Sequence, residues 1–176
     1  MSTDSVFLRP FTASDVAHLD ALIHDPEAVG PFQWYGWHDP ARFRRRWAEN
    51  GLLADGQSML AVVADGGFAG FVAWRPLRGA GRTPYWSLGA QLRPEARGRG
   101  IGTRAQLLLV EYLFAHTTVM RLEADTDTAN HAEQRALEKC GFTREGVQRS
   151  ATFRDGAWRD LVRYGLLRTD PRPGPA

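Results

Sequence analysis

The sequence predicts a single α/β domain on a central mixed, mostly antiparallel sheet, and three observations carry that prediction. Two apolar runs, 59–64 and 68–74, flank Asp65-Gly66-Gly67, a short turn of hairpin type. A strand-like run at 85–93 leads through a glycine-rich turn into a long helical pattern and then another strand-like run at 119–124. Such a crossover makes part of the sheet parallel. Near the end, Asp155-Gly156 marks a second hairpin between two further strands. A length of 176 residues suits one domain with a continuous core.

Taken in order, Val6 to Pro10 reads as a short strand stopped by proline. Thr12-Ala13-Ser14-Asp15 then gives a capped start to a helix that carries Val16, Leu19, Leu22 and Ile23 on one face. An aromatic segment punctuated by Pro and Gly runs from Pro26 to Trp37. His38-Asp39-Pro40 opens a second helix, with Asp39 as N-cap and Pro40 in the first position, ending near Gly51. After the first hairpin, a Gly/Arg-rich loop from Arg78 to Thr83 precedes the strand closed by Pro94. Between Gly100 and His116, Ile101, Ala105, Leu108, Leu109, Tyr112 and Leu113 recur at helical spacing. A shorter helix spans about 129–139 and ends at Gly141. The count is about seven strands and four helices. No internal repeat or central linker divides residues 1–169, and 170–176, rich in proline, reads as a disordered tail.

Composition narrows the function. Hydrophobic residues are 43% and charged residues 24%, as in ordinary soluble proteins. A formal charge of +2 gives no dense basic stripe, so nucleic acid is not an expected partner. Every cation but Lys139 is an arginine, which leaves one candidate for Schiff-base chemistry. Cys140 stands alone and forms no internal disulfide. Met1-Ser2-Thr3-Asp4-Ser5 has no signal-peptide character, and the apolar stretch Leu107 to Phe114 is broken by Glu111. The expected compartment is cytoplasmic, with no membrane partner.

The chemistry is concentrated at Arg97-Gly98-Arg99-Gly100-Ile101-Gly102-Thr103. Placed between a strand and the longest helix, this turn can aim successive backbone N–H groups at one anion at the helix's positive end. Its glycines permit the tight turn and the close approach of a pyrophosphate, while Arg97 and Arg99 add charge. A flexible surface loop is the plain alternative. The Walker pattern is excluded because no lysine follows the second glycine, and the dinucleotide pattern because the turn comes after three strands and a hairpin.

Here the sequence resembles the Gcn5-related N-acetyltransferase (GNAT) family, whose Arg/Gln-x-x-Gly-x-Gly/Ala signature is matched by Arg97 to Gly102. Asn130, Glu138-Lys139-Cys140-Gly141-Phe142, Glu145-Gly146 and the hairpin Asp155 to Asp160 resemble later family segments, and Leu8-Arg9-Pro10 its start. The likeness covers about residues 6–168 and is nearest to the branch of ribosomal-protein alanine N-acetyltransferases (RimJ/RimL-type) and small-molecule amine acetyltransferases. It implies a splayed parallel strand pair that holds acetyl-coenzyme A. The backbone of Ala90, Gln91 and Leu92 would pair with the pantetheine arm like an added strand. Arg97 and the amides of Gly98, Arg99, Gly100, Ile101, Gly102 and Thr103 would hold the pyrophosphate, and Asn130 would touch the cofactor. No metal is implied.

The resemblance further implies direct attack of a neutral amine, on a small molecule or a peptide N-terminus, with a base to remove its proton. Glu123 matches a glutamate that is the base in part of the family; Glu133, one turn beyond Asn130, and a water held by Ser87 follow in order. The tyrosine that commonly reprotonates the thiolate corresponds to Leu137, which has no proton to give, so the general acid is unassigned. A salt-bridged strand carboxylate is the plain reading of Glu123. A catalytically silent acyl-coenzyme A sensor or scaffold is the alternative function, and Ala90 and Ala124 leave room for an acyl group longer than acetyl.

Phe32, Trp34, Tyr35 and Trp37 crowd a region that covers the acceptor side in the family; they are candidate substrate contacts, with core anchoring as the competing role. This loop and the closing hairpin are also the surfaces offered for a homodimer. His38 is read as part of the helix start, Arg44-Arg45-Arg46 as a solvated helix face, and Cys140 as a small buried residue. His131 has no ligand-spaced partner.

Overall fold

The computed structural model describes residues 6–78 and 84–173. Seven strands form one sheet: β1 (Phe7–Arg9), β2 (Ser58–Ala64), β3 (Gly67–Arg78), β4 (Pro84–Leu92), β5 (Arg121–Asp127), β6 (Thr143–Arg154) and β7 (Ala157–Leu167), in the order β1-β2-β3-β4-β5-β7-β6. All neighbours are antiparallel except β4 and β5. The helices are α1 (Ala13–His24), α2 (Pro26–Val29), α3 (Arg42–Asn50), α4 (Ile101–His116) and α5 (His131–Lys139).

The expected mixed sheet and its two hairpins are therefore present. The loop expected at 78–83 lies outside the described residues beyond Arg78. Of the expected tail, Asp170 accepts a hydrogen bond from the Leu167 amide at 2.8 Å and Arg172 lies over the Phe114 ring, 5.2 Å from its centre. Residues 174–176 lie outside the described residues.

Local chemistry explains the elements. At the start of α1, the Asp15 carboxylate accepts from the Thr12 amide and hydroxyl, each at 2.7 Å, and pairs with Arg9 of β1. One short helix was not expected. Asp25 caps α2 by accepting from the amides of Glu27 and Ala28, and Pro26 occupies its first position. The second expected helix starts at Arg42 rather than Pro40. Asp39 still anchors it by accepting from the Ala41 amide at 2.9 Å and pairing with Arg45, but a turn intervenes.

Both faces of the sheet are covered. α4 and α5 bury one face through Leu109, Leu113, Leu122, Leu137, Tyr164 and Leu166, all fully buried. A second core, with Phe11, Leu19, Leu52, Met59 and Phe68, sits under α1 and α3 on the opposite side.

The feature that positions the site is the parallel pair. β4 and β5 share only two register partners, Trp86 with Leu122 and Ser87 with Glu123. Beyond them β4 continues to Leu92, paired with β3 on one side alone. Its other edge from Leu88 onward therefore carries backbone groups with no strand partner, a template for an extended ligand.

Candidate active site

Two clefts open along β4. The first, about 520 Å³, is lined by Ala90, Gln91, Leu92, Arg97, Gly98, Gly100, Gly102, Thr103 and Asn130, together with Phe32, Glu133, Arg135 and Lys139. The second, about 360 Å³, is lined by Trp34, Tyr35, His38, Arg42, Phe43, Gln57, Phe71, Trp74, Arg75 and Ser87. Val29, Gln33, Ala90 and Gln91 belong to both, so the clefts meet over the unpaired part of β4.

The glycine-rich turn has the form of a phosphate cradle. Gly98 and Gly100 adopt left-handed backbone with φ of 71° and 78°, and Gly100 caps α4 without any side-chain hydrogen bond. The 16-residue helix thus points its first-turn amides and positive end into the first cleft. Gly70 fixes the neighbouring strand end. A Cβ there would lie 2.2 Å from the Gln91 carbonyl oxygen and 2.7 Å from Leu92 Cα, at a φ of 149°.

Two side chains expected at the pyrophosphate make protein contacts in this structure. Arg97 lines the first cleft, and its guanidinium donates to the carbonyls of Leu92 (3.0 and 2.9 Å), Val29 (3.3 Å) and Ala28. It staples α2 to the end of β4. Arg99 pairs with Asp65 of the first hairpin. Ile101 is buried in the core, so only its amide can face the cradle. Arg135 and Lys139, one turn apart on α5, are instead the cations that line this cleft along with Arg97. Asn130 accepts from the Glu133 amide at 3.3 Å and so caps α5.

The candidate carboxylates lie on opposite sides of the sheet. Ser87 and Glu123, as parallel register partners, project to the face that carries the second cleft. Glu123 is buried; its Oε1 accepts from Arg121 Nε at 2.7 Å, and its Oε2 has no hydrogen bond and lies 3.7 Å from Arg163 Nε. Glu133 is half-buried on α5, and Oε2 accepts from Gln106 Nε2 at 3.4 Å. Burial pushes its pKa up to about 7, against the lowering effect of that hydrogen bond. Burial, with the Glu133 charge adding to it, pushes the adjacent Cys140 thiol up to about 12.

The aromatic loop divides. Trp34 and Tyr35 line the second cleft, while Phe32 lines the first. Trp37 is 75% exposed and packs edge-on to Trp34 at 5.1 Å. Arg154, buried against Asp127, donates to the Phe32 carbonyl at 3.1 Å and tethers the loop to the ends of β5 and β6. Sequence reasoning missed His38, Arg42, Gln57 and Arg75 as lining residues. For Arg75 the signal was available, since it continues the Phe71, Ala73 alternation onto the same face; His38, Arg42 and Gln57 converge only through the fold.

Among the described residues, no group of three or more His, Cys, Asp or Glu is arranged to hold a metal ion. No helix of the described residues is long and apolar enough to cross a membrane.

Known proteins share this architecture. A Bacillus subtilis protein described as probable N-acetyltransferase YjcK is 35% identical over 94 residues, which span 53% of this chain and 51% of that protein. The crystal structure of Vibrio cholerae spermidine N-acetyltransferase with CoA and spermine superposes with a TM-score of 0.81 at 16% identity, covering 95% of this chain and 98% of that one. Mycobacterium smegmatis RimJ in complex with CoA-disulfide gives a TM-score of 0.74 at 23% identity, over 92% and 81% of the two chains. Residues 5–143 match the family model described as "Acetyltransferase (GNAT) domain", and the chain belongs to the GNAT acetyltransferase family.

Proposed function

We propose that this acetyltransferase moves an acetyl group from acetyl-coenzyme A to a primary amine, of a small molecule or a peptide N-terminus, by direct attack in a ternary complex. One observation carries the reading: the cradle-bearing cleft and the aromatic cleft join at Ala90 and Gln91, beside the unpaired edge of β4. A donor laid along that edge and an acceptor held by Trp34 and Tyr35 would have their reacting ends together.

Acetyl-coenzyme A supplies an activated acyl thioester. The chain's residues would bind and orient it through the free groups of Leu88 to Leu92, the amides from Gly98 to Thr103, and Arg135 and Lys139 near the phosphates. On the acceptor face, Ser87 would hold a water through which the amine's proton passes toward Oε2 of Glu123. On the donor face, Glu133, with a pKa of about 7, holds or releases a proton near neutral pH at the side where a thiolate would leave. Leu137, fully buried, has no such capacity.

The test is thiol release with acetyl-coenzyme A against amino acids, amine antibiotics, polyamines and short peptides, with products identified by mass. Acetylated amine should form, and Glu123→Gln or Ser87→Ala should lower kcat by about 10²-fold or more while coenzyme A affinity persists. Coenzyme A binding with no product from any amine would overturn the proposal.

A further inference from the structure

We infer that the acceptor carries an anionic group, a carboxylate on an apolar or aromatic amine, rather than being a polyamine or other polycation. The inference rests on the reading of the second cleft as the acceptor site.

The lining of that cleft is chemically one-sided. It contains Arg42, Arg75 and His38 and no aspartate or glutamate. Among the described residues neither Arg42 nor Arg75, both exposed, has a carboxylate within 4.0 Å. Asp39, three positions before Arg42, is paired with Arg45, and Asp20 of α1 with Arg44. Half-buried Arg46 adds a third positive charge behind the wall, bonded only to Gln57, through its side-chain oxygen at 3.4 Å and its carbonyl at 2.6 Å. Burial and then the Arg42 charge lower its pKa, while the Glu49 charge acts in the opposite sense.

A polyamine needs carboxylates spaced along its length, whereas the cleft lining offers Arg42 and Arg75, and the buried carboxylate on this face, Glu123, is flanked by Arg121 and Arg163. A carboxylate entering the same cleft finds Arg42 and Arg75 in its lining, and a guanidinium can take a carboxylate in bidentate fashion. Placement fits as well. Arg75 is the register partner of Ser87, and both share a sheet face with Phe71 and Gln91. At about 3.3 Å per residue along β4, Ser87 lies about 10 Å from Ala90, where the clefts meet. An arginine side chain spans most of that distance, so an anion held by Arg75 leaves an amine a few bonds away at the junction. Trp34, Tyr35, Phe43 and Phe71 supply the apolar walls between.

The experiment compares matched acceptors. Thiol release is measured for phenylalanine against phenylalaninamide, with spermidine and kanamycin alongside, in the wild type and in Arg42→Gln and Arg75→Gln. In parallel, tryptophan fluorescence in the presence of coenzyme A reads binding of N-acetylphenylalanine against its amide, which needs no turnover. The acid is expected to exceed the amide and spermidine by tenfold or more in kcat/KM, and its product to bind tenfold tighter than the amide. Both arginine variants should abolish the preference while KM for acetyl-coenzyme A stays within twofold. Equal use of acid and amide, a preference for spermidine, or a preference unmoved in both variants would overturn the inference and leave the acetyltransferase reading intact. Absence of turnover with every amine would strike the parent reading, and the binding arm would still decide between acid and amide.

Discussion

Glu133→Gln should stabilise the protein at alkaline pH and leave it nearly unchanged in mild acid. The wild-type carboxyl is pushed from 4.5 up to about 7 because α4 and α5 desolvate it; its one partner, Gln106, is a neutral amide and itself fully buried. The folded state therefore holds this proton more tightly than the unfolded chain does. That sign means stability is full below the unfolded value and declines as pH rises toward the folded one. At about 1.4 kcal/mol for each tenfold change in proton affinity, the ionised form would cost about 3 kcal/mol. Solvent reaching a half-buried group trims this to about 1–3 kcal/mol. Glutamine keeps the shape and a hydrogen bond to Gln106 without the charge. Urea unfolding followed by tryptophan fluorescence at about pH 4 and about pH 8 should show the variant level with wild type in acid and ahead of it by that amount in base. An equal difference at both pH values, or a variant that falls behind wild type in base, would show that burial does not hold this proton on Glu133.

Gly70→Ala should destabilise the fold by about 2–4 kcal/mol and raise KM for acetyl-coenzyme A, because its Cβ would strike the Gln91 carbonyl at 2.2 Å and displace the donor-binding edge; thermal unfolding and steady-state kinetics read the two effects. Arg154→Ala strands the Asp127 carboxylate in a site where both side chains are under 10% exposed, so a loss of about 3–5 kcal/mol is expected in urea unfolding. Arg135→Gln with Lys139→Gln should weaken coenzyme A by roughly tenfold or more per lost charged contact and flatten the salt dependence of binding, read by calorimetry at two ionic strengths.

The sequence was most legible where backbone chemistry is local. Asp65-Gly66 and Asp155-Gly156 place their turn residues at positive φ, as the hairpins require, and the left-handed Gly98 and Gly100 follow from the same steric freedom. Much less legible were side chains whose partners lie far along the chain. Arg97 sits inside a phosphate-binding signature, yet its charge is spent on carbonyls at positions 28 and 29, made available by a one-turn helix too short for periodicity to reveal. Arg154 reads as an ordinary strand residue and turns out to hold the acceptor loop from 122 positions away. Glu123 stood out through family likeness, but the two arginines that flank it belong to different strands, and only the register of β5 with β7 brings Arg163 alongside.

The most direct test of the account is an initial-velocity grid in which acetyl-coenzyme A and a turned-over amine are varied together. Two clefts that join at Ala90 and Gln91 predict that both substrates are bound at once, so double-reciprocal lines should intersect and no acetylated protein should accumulate when the amine is withheld. Parallel lines, with an acetyl group found on the chain by mass, would contradict direct transfer across that junction.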